Sequence, residues 1–263
     1  MPAASLNSLS VQVALSGRRN AATVQVLDDV DLRVEAGQIT ALLGESGCGK
    51  SMVAAALCGL LPPGSTIRGS VTVGEHTLRG DDAGWPRLRG RHIGLVPQSP
   101  STSFTPVRTI GSQLDEVVRI LDGPRTPAEL CAEAGLASSA LDLYPHELSG
   151  GMVQRAAVAA ALAGSPEVVV ADEPTSALDP DLADGVWDLL KAQSARGTAV
   201  LVITHDMDSL RRAALGPSGS SSELRSIAMM RRGRVITQQT PSELLRSAAG
   251  DEYLSAYFSE VCV

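Results

Sequence analysis

Aromatic residues are scarce in this sequence, at 3% of 263 residues, and no extended block of lysine and arginine occurs. The formal net charge is −7. A nucleic-acid-binding protein needs a basic face that neutralises phosphates, so the charge argues against DNA or RNA as a partner. With 44% hydrophobic residues the chain can still bury a sizeable core, which alanine, leucine and valine must fill.

No apolar run reaches the length of a membrane-spanning helix. The longest runs, residues 53–61 and 156–164, have about half of the roughly 20 residues that a bilayer requires. Residues 1–10 lack the charged and apolar regions of a signal peptide. The sequence therefore predicts a soluble chain, to which a partner would supply any membrane-spanning part.

The four cysteines, Cys48, Cys58, Cys131 and Cys262, show no CxxC pattern and no paired spacing with histidine. This spacing argues against a zinc site or a disulfide framework and favours reduced thiols of the cytosol.

The hydrophobic pattern predicts alternating strands and helices. Strands are predicted over residues 9–15, 24–35, 39–43, 168–171, 199–204, 226–230 and 234–238. Helices are predicted over residues 50–61, much of 99–161, 181–194 and a last helix that a capping box opens at Thr240. Apolar strands alternating with helices indicate a doubly wound α/β core. Residues 216–222 (GPSGSSS) indicate a flexible surface insertion.

A glycine-rich loop lies between a predicted strand and helix and has the pattern G-x-x-x-x-G-K-S. Its residues are Gly44, Glu45, Ser46, Gly47, Cys48, Gly49, Lys50 and Ser51. Glycines let backbone N–H groups wrap a phosphate chain at the positive end of a helix. We expect Lys50 to reach the β- and γ-phosphates, Ser51 to coordinate Mg²⁺ and the Met52 N–H to meet the α-phosphate. An ordinary glycine turn is the alternative, and kinases, GTPases and helicases share such a loop.

Two acids end the apolar strand predicted over residues 168–171. Asp172 is placed to hold Mg²⁺ through water, and Glu173 is the candidate general base for an attacking water. His205 directly follows another core strand, where it could bind the γ-phosphate. The alternatives are a solvated turn at the acids and an inert loop histidine.

Residues 148–155 (LSGGMVQR) resemble the signature motif of ABC ATPases. Physically, Ser149, Gly150 and Gly151 open a helix whose N-terminus forms a second anion site. The resemblance implies that this phosphate belongs to ATP on an opposite subunit, in a head-to-tail dimer.

The remaining ABC motifs follow in family order. Gln98 resembles the Q-loop glutamine, which is implied to contact Mg²⁺ and the nucleophilic water. Residues 176–179, ending in Asp179, resemble the D-loop at the dimer interface, and His205 resembles the switch histidine. The resemblance implies a P-loop NTPase (RecA-like) core with an antiparallel β subdomain and an α-helical signature subdomain, with ATP and Mg²⁺ as cofactors. We expect one domain over residues 1–263, with a core of about 1–98 and 162–263 and a helical subdomain of about 99–161.

Residues 44–51, 97–111 and 144–152 resemble ATPases of dipeptide, oligopeptide and nickel importers. This resemblance implies permease subunits, a second ATPase subunit (a heterodimer rather than a homodimer), an extracellular binding protein acting indirectly, and a place at the cytoplasmic face of the membrane. Phe104 either docks the permease or anchors its own loop. The alternatives are an exporter, a soluble ABC ATPase acting on nucleic acid or ribosomes, and a phosphotransferase.

Three features depart from the family pattern. Residues 11–35 contain no aromatic that could stack on adenine. The chain has a shorter C-terminal region than many peptide-importer ATPases, closer to nickel-type subunits. Residues 216–222 separate a helix and a strand that are normally joined briefly. Cys48 could be a redox-sensitive thiol, although a spectator role is favoured because its loop position tolerates variation.

Overall fold

The computed structural model describes residues 2–14, 22–80, 82–176, 178–215, 224–248, 251, 253–255 and 257. The predicted insertion at 216–222 and Cys262 lie outside these residues.

Ten strands form two sheets within the described residues. The strands are β1 (Ala4–Ala14), β2 (Thr23–Val34), β3 (Ile39–Gly44), β4 (Thr66–Val73), β5 (His76–Leu78), β6 (Ile93–Val96), β7 (Val168–Asp172), β8 (Ala199–Ile203), β9 (Leu224–Arg231) and β10 (Arg234–Gln239). One sheet is antiparallel, in the order β2-β1-β4-β5. The other has the order β10-β9-β3-β8-β7-β6 and is parallel except for its edge strand β10.

The helices of the described residues connect and cover these strands. They are α1 (Lys50–Leu57), α2 (Trp85–Leu88), α3 (Ile110–Leu121), α4 (Pro127–Glu133), α5 (Gly150–Leu162), α6 (Pro180–Ala195), α7 (Met207–Leu215) and α8 (Pro241–Ala248). Between β6 and β7, where every residue is described, the chain forms only helices and turns. Together the two sheets and this helical segment confirm the expected fold class.

The parallel sheet separates two hydrophobic cores. Alternate residues of a strand face opposite sides, and in β7 Val168 and Val170 belong to the core shared with the antiparallel sheet. Val169 and Ala171 belong instead to the core shared with the helices. Every residue of β3, β7 and β8 is buried, as expected for central parallel strands covered on both faces.

Helix α1 is shorter than predicted, because it ends at Leu57 and not at residue 61. Gly59 adopts a φ of +62°, and a Cβ there would lie 2.1 Å from the ring of Trp85. Trp85 therefore requires a glycine at this position, and the turn at Gly59 ends the helix before Pro62 is reached.

The capping box at the last helix is present. The Thr240 backbone N–H donates to Glu243 at 3.0 Å, and the Glu243 N–H donates to the Thr240 hydroxyl at 3.3 Å. None of the helices in the described ranges has both the length and the apolarity required to cross a lipid bilayer.

Candidate nucleotide site

A cavity of about 360 Å³ lies at the carboxyl ends of the parallel strands, where open α/β sheets bind ligands. The residues that line this cavity include predicted site residues from four separate segments of the chain. Its lining consists of Val26, Ser46, Gly47, Gly49, Lys50, Ser51, Met52, Gln98, Glu173 and His205. Only Val26 was not among the predicted site residues.

The glycine-rich loop, residues 44–51, has the backbone shape of a phosphate cradle. Gly44, Gly47 and Gly49 all have positive φ angles, of 153°, 77° and 110°. A Cβ at Gly44 would lie 2.3 Å from the Met230 carbonyl oxygen on β9. Glycine is therefore required both by the backbone conformation and by the close approach of a neighbouring strand.

Lys50 begins α1 and is 8% exposed. Its Nζ donates to the backbone carbonyls of Gly44 at 2.8 Å and Glu45 at 2.9 Å. A phosphate entering the loop would replace these neutral acceptors by charged ones, which form stronger hydrogen bonds with an ammonium group. The Lys50 ammonium group is thus positioned at the loop.

Asp172 and Ser51 form a fitting donor pair for Mg²⁺. Asp172 ends β7, is 7% exposed, and lies near the Ser51 hydroxyl. Its Oδ1 is buried with no hydrogen-bond partner among the described residues. Burial is the main cause that raises the pKa of this carboxyl, and the nearby Ser51 hydroxyl opposes the rise.

An unpartnered buried carboxylate oxygen beside a hydroxyl matches the oxygen ligands of Mg²⁺. Within the described ranges, no group of three or more histidine, cysteine, aspartate or glutamate side chains could hold a metal ion.

Glu173 directly follows β7 and faces the cavity in an unusual conformation. Its φ is 50°, a left-handed value uncommon outside glycine, and its N–H donates to the Ile203 carbonyl at 2.8 Å. Its carboxylate lies 2.7 Å from His205 Nδ1. Strained backbone of this kind is concentrated at functional sites. The geometry therefore joins the predicted base and the predicted histidine into one unit.

The residues predicted to form the signature motif and the D-loop lie outside this cavity. Ser149 caps α5 by accepting from the Met152 N–H at 3.3 Å, and both Ser149 and Gly150 are exposed. Gly151 is buried against Leu182, and Asp179 is exposed at the start of α6. None of these four candidate nucleotide-binding residues lines the cavity.

Gly44, Glu45 and Cys48 complete the loop without lining the cavity. Cys48 is 7% exposed and its side chain belongs to the core beneath the antiparallel sheet. Burial raises the pKa of its thiol, against an opposing effect of Lys50. A buried thiol with a raised pKa stays protonated at neutral pH, which suits the spectator interpretation.

The sequence profile of one family, described as ABC transporter, matches residues 27–176. This chain belongs to the ABC transporter family. The match includes the glycine-rich loop, Gln98, the signature residues, Asp172 and Glu173.

Curated members of the ABC transporter family show what this chain resembles. The oligopeptide transport ATP-binding protein OppD of Mycobacterium tuberculosis is 39% identical over 209 residues, which cover 74% of this chain and 34% of OppD. The chain thus spans about a third of that relative's length. A putative peptide import ATP-binding protein of Brucella melitensis is 34% identical over 250 residues, covering 88% of this chain and 70% of the relative.

Solved ABC structures share the fold. The dimeric ATP-binding cassette MJ0796, in a post-hydrolysis state bound to ADP and phosphate, has a TM-score of 0.71 at 25% identity, covering 90% of this chain and 98% of the other. A nucleotide-free ATP-binding cassette from an ABC transporter has a TM-score of 0.74 at 17% identity, covering 98% and 99%, and shows the fold alone.

Proposed function

We propose that this chain is the ATP-binding and ATP-hydrolysing subunit of an ABC importer. The observation that carries the proposal is the contact of 2.7 Å between Glu173 and His205 in the cavity that Lys50 and Ser51 also line. The groups that would bind phosphate and the base that would activate water thus line the same cavity. A binding module alone would have no use for the base.

Each residue then has a role in hydrolysis. The N–H groups of residues 46–52 and the Lys50 ammonium bind the phosphates, while Ser51, Asp172 and Gln98 would hold Mg²⁺. When bound, this ion would neutralise part of the negative charge of the phosphates. Glu173 accepts a proton from the attacking water. His205 donates a hydrogen bond from Nδ1 to Glu173 and, as the doubly protonated imidazolium, donates from Nε2 to the γ-phosphate.

A second ATPase subunit would complete the site. Ser149 and Gly150 are exposed at the N-terminus of α5, a helix of 13 residues, yet do not line the chain's own cavity. Such a terminus attracts anions. We therefore assign Ser149, Gly150, Gly151 and Asp179 to the nucleotide of an opposing subunit, in a heterodimer rather than a homodimer. In this assembly residues 1–263 form one domain, and residues 99–161 form its helical subdomain.

The cargo proposal is the uptake of peptides, nickel or metal-chelate complexes through membrane permeases at the cytoplasmic face, fed by an extracellular binding protein. The relatives are named for oligopeptide transport and peptide import, which favours peptides within this set. The permease would meet the loop after Gln98, where Val107 is 79% exposed. Phe104, by contrast, is 8% exposed in the core and anchors the loop.

The proposal is tested by purifying the chain with its candidate permeases and partner ATPase in lipid vesicles. Transport of labelled peptides and of nickel is measured with ATP on the subunit's side. We expect the labelled peptides to accumulate, in an ATP-dependent manner, on the side of the membrane that holds ATP, which is the direction of import. ATP-dependent movement away from the ATP side would contradict import.

The dimer arrangement has its own test in the same vesicles. Ser149→Arg places a bulky cation at the mouth of the second anion site. We expect it to impair hydrolysis at the site built on the partner's phosphate loop and to spare the site built on Lys50. Loss confined to the Lys50 site would contradict the head-to-tail arrangement.

A further inference from the structure

A chain of hydrogen bonds runs from the middle of α6 to the start of α7, where His205 lies. The Trp187 Nε1–H donates to the Ser209 hydroxyl oxygen at 2.6 Å, and these two residues are 1% and 0% exposed. The Ser209 backbone N–H donates to Asp206 Oδ1 at 2.9 Å, so Asp206 caps α7. The Asp206 N–H in turn donates to the Thr204 hydroxyl at 3.0 Å. These bonds fix the backbone on both sides of His205.

His205 depends on this support because packing does little to hold it. Its side chain is 64% exposed. Its backbone N–H donates to Glu173 Oε2 at 3.4 Å, and its Nδ1 lies 2.7 Å from Glu173 Oε1. Both the backbone and the ring of His205 thus bond the carboxylate of the predicted base. A shift of this backbone would move the ring and the carboxylate out of alignment together.

The bond between Trp187 and Ser209 specifies how α7 lies against α6. The Trp187 ring and Leu210 of α7 share the core on the helical side of the parallel sheet, and Arg212 Nε donates to Asp184 Oδ1 at 3.0 Å on the surface. Hydrophobic packing is non-directional. A buried indole N–H without an acceptor costs free energy, so the Trp187 hydrogen bond favours one orientation of α7.

We propose that Trp187, Ser209 and Asp206 are positioning residues for hydrolysis, which hold the backbone of His205 so that it keeps the Glu173 carboxylate aligned. The proposal rests on the ATPase function proposed above and adds residues that act from outside the cavity. None of the three lines the cavity. They therefore affect turnover and not nucleotide binding, because a small misplacement of a catalytic group slows the chemical step.

The first test compares the two tryptophans of the chain. Trp187→Phe removes the indole N–H and keeps an aromatic ring in the core. Trp85→Phe is the matched control, since Trp85 is 4% exposed and its Nε1–H donates to the Gly80 carbonyl at 3.2 Å, outside the cavity. Phosphate release by the full chain over a range of ATP concentrations gives kcat and KM. Calorimetric titration with Mg²⁺ and a non-hydrolysable ATP analogue gives the affinity and the fraction of chains that bind.

We expect Trp187→Phe to lower kcat, counted per chain that binds the analogue, by about tenfold. The KM and the affinity should stay within about twofold of the parental values, as expected when an interaction matters only in the transition state. Trp85→Phe should leave kcat per binding chain at the parental value.

The second test uses Asp206, which is only partly buried, so its replacement leaves the core intact. Asp206→Ala removes the oxygen that caps α7 and should lower kcat in the same way as Trp187→Phe. Asp206→Asn keeps an oxygen at that position and should restore most of the rate. Asp208→Ala is the control, because it removes an exposed acid from the same helical turn.

A purely structural role would lower only the fraction of chains that bind the analogue, and kcat per binding chain would stay parental. That result would overturn the proposal, as would equal losses of kcat in Trp187→Phe and Trp85→Phe or in Asp206→Ala and Asp208→Ala. Absence of hydrolysis by the parent would instead refute the proposed ATPase function, so the two failures are distinguishable.

Discussion

The Glu173 carboxylate and the His205 imidazole are in direct contact, with Glu173 Oε1 2.7 Å from His205 Nδ1. They follow different strands, β7 and β8, which pair in parallel with Asp172 opposite Ile203. The pairing brings the two side chains to the same sheet edge. Because a carboxylate only accepts hydrogen bonds, Nδ1 carries a proton, and Nε2 donates to a phosphate only when the imidazole is doubly protonated.

Replacing Glu173 with glutamine should stop turnover but preserve binding. The amide keeps the size of the side chain but cannot accept the proton of the attacking water, so hydrolysis should fall about a hundredfold or more. The ATP-bound dimer should accumulate, which size-exclusion chromatography with ATP would show. Glu75→Gln, at an exposed position outside the cavity, is the control. Hydrolysis by Glu173→Gln at the parental rate would mean that another group activates the water.

Lys50→Ala should abolish hydrolysis and weaken nucleotide binding. The change removes the ammonium group that faces the phosphates, and losing a charged hydrogen bond weakens binding by about tenfold to a hundredfold. Calorimetric titration and a phosphate-release assay measure the two effects. Lys191→Ala removes the chain's other lysine, which lies on α6 outside the cavity, and should change neither. Near-normal hydrolysis by Lys50→Ala would be incompatible with the assigned role of the loop.

Asp172→Asn should stabilise the ligand-free protein at neutral pH while weakening its response to Mg²⁺. Burial raises the pKa of Asp172, so the fold favours the neutral acid and loses stability as the pH rises through that raised pKa. Asparagine stays neutral, and the variant should melt at a higher temperature than the parent at about pH 7. The difference should shrink as the pH falls toward about 4, where the aspartate is also neutral.

Calorimetric melting across this pH range, with and without Mg²⁺–ATP, checks both halves of the Asp172 prediction. The nucleotide complex should raise the melting temperature of the parent more than that of Asp172→Asn. A variant that melts below the parent at neutral pH, or that gains equally from Mg²⁺–ATP, would contradict the proposed metal site.

Replacing Val107 or Phe104 with aspartate should have different effects, the first on binding to the permeases and the second on stability. Val107→Asp changes an exposed side chain, so the subunit should fold and hydrolyse ATP normally but fail to co-purify with the permeases. Phe104→Asp buries a charge and should lower the free energy of unfolding by about 3 kcal/mol or more. Denaturant unfolding and co-purification separate the two outcomes. Leu245→Asp, at an exposed position on α8, is the control, and normal transport by Val107→Asp would exclude this docking position.

Much of the site could be predicted from local sequence, because its groups follow local rules. The loop at residues 44–51 needs glycines for its backbone angles, and these glycines are visible in the sequence. Asp172, Glu173 and His205 lie at or just after the ends of apolar strands, and the carboxyl ends of parallel strands meet at one sheet edge. The net charge and the lengths of the apolar runs could likewise be read from the sequence alone.

Tertiary structure alone decided the rest. The end of α1 at Leu57 depends on Trp85, and the buried position of Phe104 depends on the helical core. The close approach of the Met230 carbonyl to Gly44 joins segments that lie far apart in the sequence. No periodicity or spacing encodes such contacts, because they arise only when the packing of β3 beside β9 brings distant segments together.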